Sequence, residues 1–190
     1  MNSELRSLRN HIEEIVKLTD EEWKFVSSHF EYKKLKKHQF LIQVGQPVDY
    51  EFWIIEGLIR AYNIDEKGKE HILRFGMENY WISDHYAFQF QIPATIFVDC
   101  LEDSKFLCLS FENRELICNE VHAMANFFRI KANYGYVSLQ RRILSLLTQT
   151  AEERYDGLLE KLPKLIQRVP KKLLASYLGV SRETLSRLKG

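Results

Sequence analysis

The last twenty residues, 171–190 (KKLLASYLGVSRETLSRLKG), restrict the fold more than any other stretch of the chain. Apolar side chains fall at Leu174, Leu178, Val180, Leu185 and Leu188, with Ala175 and Gly179 among them. Two helices that cross steeply through a three-residue turn need these types in this order. A small residue lets the backbones approach, a glycine ends the first helix at positive φ, and apolar residues fill the shared face. Ser181 then stands at the N-cap of the second helix, where its hydroxyl accepts from an orphan N–H.

Arg182, Glu183, Ser186 and Arg187 start the second helix on the side away from Leu185 and Leu188. A helix-turn-helix presents that face to base edges in a major groove. Arginine gives guanine O6 and N7 a bidentate pair, and glutamate accepts from cytosine N4. Ser181, Lys171, Lys172 and Lys189 flank these side chains and are expected on phosphates, which position the helix without reading sequence. Charge follows the same division: residues 161–190 hold eight lysines and arginines against Glu183 alone, on a chain of formal net charge +1. A basic end on a net acidic body is a polyanion-binding pattern.

The remainder predicts an α+β chain. Leu5, Leu8, Ile12, Ile15 and Val16 recur at helical spacing, and Thr19 with Glu22 forms a capping box for a second short helix over Trp23 and Val26. From Leu35 to about Ser110, short aromatic and β-branched runs alternate with turn signals at Gly45–Pro47, Glu56–Gly57 and Asp65–Gly68. Strands at this spacing predict a sandwich or barrel-like roll, with Ile55, Ile59 and Ile72 turned inward. Residues 112–155 then read as helix. Ala123, Phe127, Ile130, Tyr134 and Val137 step by four and three, a heptad seam interrupted by Gly135. By periodicity alone a seam this short more often packs on its own domain than on a partner.

Other chemistries find little support. The three cysteines, Cys100, Cys108 and Cys118, are odd in number and lie in strand or buried-helix segments, as reduced core thiols do. No metal site is expected and no catalytic residues are assigned. A metal-bearing cupin enzyme needs two histidines one residue apart and a nearby glutamate, and no such pair occurs. No apolar run reaches the roughly 20 residues of a membrane helix, and the amphipathic start with its acids is unlike a signal peptide. The expectation is a soluble, cytoplasmic protein.

Taken in order, these segments resemble the bacterial transcription regulators of the cyclic AMP receptor protein and fumarate and nitrate reduction regulator type (CRP/FNR). The strongest match is SRETLSR, residues 181–187, which carries the contact residues of both branches and implies a TGA core. The resemblance implies a cyclic-nucleotide-binding-like roll, a double-stranded β-helix or jelly roll with flanking helices, over 1–118, a long dimerisation helix over 119–155 and a helix-turn-helix over 156–190. It implies a homodimer on double-stranded DNA with an inverted repeat, RNA polymerase as a further partner, and no enzymatic step. Many relatives continue into a β-hairpin wing, and a short wingless form is the expectation here.

The resemblance breaks in the effector pocket. Cyclic AMP binders hold the ribose with a Gly-Glu pair and the phosphate with Arg-Ser or Arg-Thr, and a gapless alignment puts Ser83-Asp84 and Ala94-Thr95 there. The phosphate would lose its charge-assisted partner at Ala94. Cyclic AMP is therefore not expected, no cofactor is assigned, and Phe88, Phe90 or Trp81 are candidate plugs. The iron–sulfur branch needs an N-terminal cysteine cluster, and the first cysteine here is Cys100. A haem sensor would need an axial ligand such as His71, His85 or His122. The competing reading is a ligand-binding or protein-interaction β-roll module with a vestigial helix-turn-helix.

Overall fold

A computed structural model describes residues 2–187. Helix α1 (Asn2–Glu13) leads to α2 (Asp20–Ser27), which opens on the expected capping box: Thr19 Oγ1 accepts from Glu22 N–H at 3.1 Å, and Thr19 N–H donates to Glu22 Oε2 at 2.7 Å. Strands β1 (Glu31–Leu35), β2 (Phe40–Ile42), β3 (Tyr50–Glu56), β4 (Ile59–Ile64), β5 (Glu70–Gly76) and β6 (Trp81–Ile82) follow. A short helix α3 (His85–Phe90) precedes β7 (Phe97–Cys100) and β8 (Ser104–Ser110). The strands form two antiparallel sheets, ordered β1-β8-β3-β6 and β2-β7-β4-β5, that face each other as a jelly roll. At the β3–β4 turn Gly57 has φ +124°, and a Cβ there would lie 2.1 Å from Ser104 Oγ, so only glycine fits.

Alternation along β3 sorts its residues into two cores, because successive side chains point to opposite faces. Phe52 and Ile54 enter the roll interior with Ile42, Ile59, Val98 and Phe106. Trp53 faces the other way, against Leu8, Ile12, Leu107 and Phe127. Ile55 therefore packs on the helices, and Ile54 takes the inward place the sequence reading gave it. Ile72 belongs to a third core on the outer face of the second sheet.

The helical half comprises α4 (Phe111–Glu120), α5 (His122–Thr148), α6 (Ala151–Lys161), α7 (Pro163–Arg168), α8 (Lys171–Leu178) and α9 (Arg182–Arg187). The long helix stops at Thr148 rather than 155 because Thr150 and Glu153 form a capping box that starts α6. Its seam is not one surface. Phe127 is fully buried in the chain's own core, beside Trp81, Phe128 and His11, and Ala123 packs on that core. Ile130 is half-buried, whereas Tyr134 and Val137 are exposed. Of the seam residues, those in the first turns cover the roll, and the exposed ones begin at Tyr134.

Helices α6 to α9 pack on the outer face of the second sheet. Leu58, Tyr62, Ile72 and Phe75 share a core there with Tyr155, Leu165, Leu174, Leu178 and Leu185. No described helix is long and apolar enough to cross a membrane.

Candidate nucleic-acid interface and roll pocket

The C-terminal hairpin is built by the residues that restrict it. Leu174, Ala175 and Leu178 are buried in α8, and Gly179 ends that helix at φ +71° with Val180 N–H donating to Ala175 O at 3.0 Å. Ser181 Oγ accepts from Thr184 N–H at 3.1 Å and starts α9, and Leu185, 1% exposed, anchors that helix to the core. Arg182, Glu183, Ser186 and Arg187 are all exposed. Hydrogen bonds from its own backbone N–H and from Ser181 hold Glu183 below the usual carboxylate range, so it is an acceptor near neutral pH. Lys171 and Lys172 are exposed in the first turn of α8, where the helix dipole disfavours positive charge. Lys189 lies outside the described residues, as does Leu188.

This hairpin is docked on the roll by polar contacts that sequence reasoning missed. Ser176 Oγ donates to Glu70 O at 2.9 Å and accepts from Ile72 N–H at 3.3 Å. Arg142 of α5 donates to Ile72 O at 3.2 Å and Tyr177 O at 2.9 Å, with its guanidinium 3.7 Å from the Tyr177 ring centroid. Arg168 is spent internally between Glu78 and Glu102, so one of the eight terminal cations is unavailable to a polyanion. A cleft of about 370 Å³ remains between the β4–β5 turn and α8–α9, lined by Lys69, Lys172, Ser176 and Arg182 among others.

Of the four residues aligned with the effector pocket, Asp84 and Thr95 are in direct contact in the roll. Ser83 is buried and donates to Tyr50 O at 3.0 Å. Ala94 is also buried, its N–H donating to Gln46 O and its carbonyl accepting from Gly45 N–H, each at 2.8 Å. The Asp84 carboxylate, 3% exposed, accepts from Thr95 N–H at 2.7 Å, Thr95 Oγ1 at 2.9 Å, Ile96 N–H at 3.2 Å and Ala87 N–H at 3.2 Å. Burial alone would raise its pKa, but these donors outweigh that and hold it below the usual carboxylate range.

Of the three candidate plugs, only Phe88 enters the roll interior. Phe90 is 65% exposed beside Tyr86, and Trp81 faces the helices near Phe127. Phe88 also touches a relay. Arg114 of α4 lies 5.1 Å from the Phe88 ring centroid and 5.7 Å from that of Phe128 on α5, and donates to Gln89 Oε1 at 2.9 Å. Its partner Glu51, 3.9 Å away, is buried with Oε1 unbonded; burial pushes its pKa up to about 7, Arg114 offsetting part of the cost. Glu51 alternates with Trp53 and Ile55 along β3, a pattern that marks a buried acid.

The described residues contain no cluster of three or more potential metal ligands; His71 pairs with Asp65 at 2.8 Å. Cys100, Cys108 and Cys118 are free thiols whose pKa burial raises to about 11, 12 and 11. They are protonated near neutral pH.

Residues 32–120 match the family described as cyclic nucleotide-binding domain. The chain is 25% identical over 169 residues to an anaerobic regulatory protein of Haemophilus influenzae, a match covering 83% of this chain and 65% of that protein. The chain thus spans less than two thirds of that relative's length. Among solved structures, FixK2 from Bradyrhizobium japonicum superposes with a TM-score of 0.71 at 16% identity, covering 84% of this chain and 82% of the other. The c-di-GMP responsive global regulator CLP of Xanthomonas campestris gives 0.72 at 14% identity, over 90% and 89% of the two chains.

Proposed function

We propose that this chain, homologous in sequence and fold to CRP/FNR-type regulators, is a dimeric, sequence-specific DNA-binding transcription regulator. The observation that carries the reading is the outward quartet Arg182, Glu183, Ser186 and Arg187, held on a helix that Leu185 anchors and Ser181 caps. Residues 156–190 are the reading head, 1–118 the sensor and 119–155 the connector. Lys171, Lys172, Ser181 and Lys189 meet phosphates, and the quartet reads a TGA-like half-site.

Two copies join through the exposed part of α5. Tyr134, Val137, Leu139, Ile143, Leu144 and Leu147 leave a long apolar face that a lone helix would not keep in water. A two-fold pair of reading heads matches an inverted repeat with half-sites about one DNA turn apart. The protein works in the cytoplasm, engages RNA polymerase and carries out no reaction. Its effector, which acts through the roll, is not cyclic AMP: Ala94 offers a phosphate no cation.

A gel-shift titration tests this reading. An inverted-repeat TGA duplex is retarded in preference to a scrambled one, and Arg187→Ala weakens that binding roughly 5- to 150-fold per half-site, as loss of one bidentate base contact in each predicts. Equal retardation of both duplexes at moderate salt, with no effect of Arg187→Ala, refutes it and leaves the helix-turn-helix vestigial.

A further inference from the structure

Asp84 is the most heavily bonded side chain of the roll, and its bonding partners have the form of an anion receptor. Two successive N–H groups, Thr95 and Ile96, and the Thr95 hydroxyl converge on one carboxylate oxygen, Oδ2, at 2.7, 3.2 and 2.9 Å. The other oxygen accepts from Ala87 N–H in the first turn of α3. No lysine or arginine pairs with Asp84 among the described residues, so these dipoles and the hydroxyl alone balance its charge.

The donors are therefore fully committed. A second anion brought to the Thr95–Ile96 turn would find both N–H groups engaged and would meet the buried Asp84 carboxylate at hydrogen-bonding range, where the two charges repel. Asp84 leaves the end of β6 directly before α3, so one group joins that junction, the first turn of α3 and the approach to β7. On its inner side α3 is fixed by Phe88, and on its outer side by Gln89 bonded to Arg114, which reaches Phe128 on α5.

We propose that Asp84 is a tethered ligand: its carboxylate permanently occupies the anion-receiving turn of the roll and latches α3 with no diffusible phosphate. The latch holds whether or not α9 reads DNA. A nucleotide or phosphate ester has no place at the turn while the carboxylate is there. Removing the carboxylate uncovers a site for a small tetrahedral anion made of Thr95 N–H, Thr95 Oγ1 and Ile96 N–H.

Thermal unfolding of the full chain tests the proposal, with inorganic phosphate or cyclic AMP added at about 10 mM against chloride of matched ionic strength. The wild-type midpoint is expected to stay unchanged with both. Asp84→Ala is expected to melt several degrees lower and to regain part of the loss, saturably, with phosphate; Thr95→Val placed in that variant abolishes the regain. A saturable wild-type response to either anion, or an Asp84→Ala variant that melts like the wild type, overturns the proposal. Should Asp84→Ala not fold, amide exchange in the wild type decides. In phosphate-free buffer the Thr95 and Ile96 amides exchange at least about tenfold more slowly than the exposed Glu66 amide if the carboxylate holds them, and equally fast if it does not.

Discussion

Arg168 and Glu78 meet fork to fork, with Nη1 to Oε2 at 2.8 Å and Nη2 to Oε1 at 3.0 Å, across ninety positions of sequence. The same guanidinium takes Glu102 on its other edge, so a single side chain of the reading-head helices closes over two loops of the roll. Glu78 continues the tie inward, accepting from Gly57 N–H at 3.0 Å. Arg168→Ala leaves two carboxylates facing each other and is expected to cost roughly 1–3 kcal/mol, more than an exposed pair and less than a fully buried one. Denaturant unfolding measures it. Glu78→Gln with Glu102→Gln in the Arg168→Ala background should recover part of the loss, since it removes that repulsion.

The long helix predicts two separable phenotypes. Phe127→Ala empties a fully buried site and is expected to lower stability by about 3–5 kcal/mol. Leu144→Glu with Leu147→Glu alters exposed positions, so folding should persist by circular dichroism while sedimentation shows the mass halved. Unchanged sedimentation would remove the dimer from the functional reading.

Gly179 is a conformational requirement. Its φ of +71° costs an L-residue roughly 1–2 kcal/mol, and an added Cβ would only touch Leu146 at 3.4 Å, so backbone strain dominates. Gly179→Ala should lower the melting midpoint slightly and weaken DNA binding more than that shift implies, because relief of the strain re-aims α9. Comparing a melting curve with a gel shift separates the two effects.

Glu51 and Asp84 predict opposite pH dependences. Burial raises the folded pKa of Glu51 from 4.5 to about 7, so its favourable contribution is full at low pH and is lost as pH rises through that window. Glu51→Gln should remove this downward slope. The folded pKa of Asp84 is depressed, so its contribution is present above the ordinary carboxylate range and is lost as pH falls through the lowered value. Stability measured from acid to neutral pH in Glu51→Gln and Asp84→Asn resolves the two signs.

The readable parts of the chain were those decided by neighbours in sequence. Gly179, Ser181 and Leu185 define a hairpin within a few residues of one another, and alternation along β3 and β4 marks strands without knowledge of their partners. Heptad spacing from Ala123 to Val137 marks one stripe of α5, but no local pattern says that Phe127 meets Trp81 while Tyr134 meets solvent. Arg168 looked like part of a basic run because its carboxylates lie 66 and 90 residues away. In the pocket the sequence showed Ala94 in place of an arginine; that the Asp84 carboxylate turns onto Thr95 depends on how β6 and β7 are brought together.

The bonds of Arg142 give α5 a mechanical meaning. The helix has 27 residues, a rod about 40 Å long. Its base is clamped in the roll at Met124 and Phe127, and far along it Arg142 holds Ile72 O of the roll and Tyr177 O of α8 together. A tilt of about five degrees at the base would move Arg142, about 22 Å beyond Phe127, by some 2 Å. The helix is thus a lever arm: a small tilt where Phe127 is gripped is magnified at Arg142, the point at which one guanidinium ties α5 to both β5 and α8.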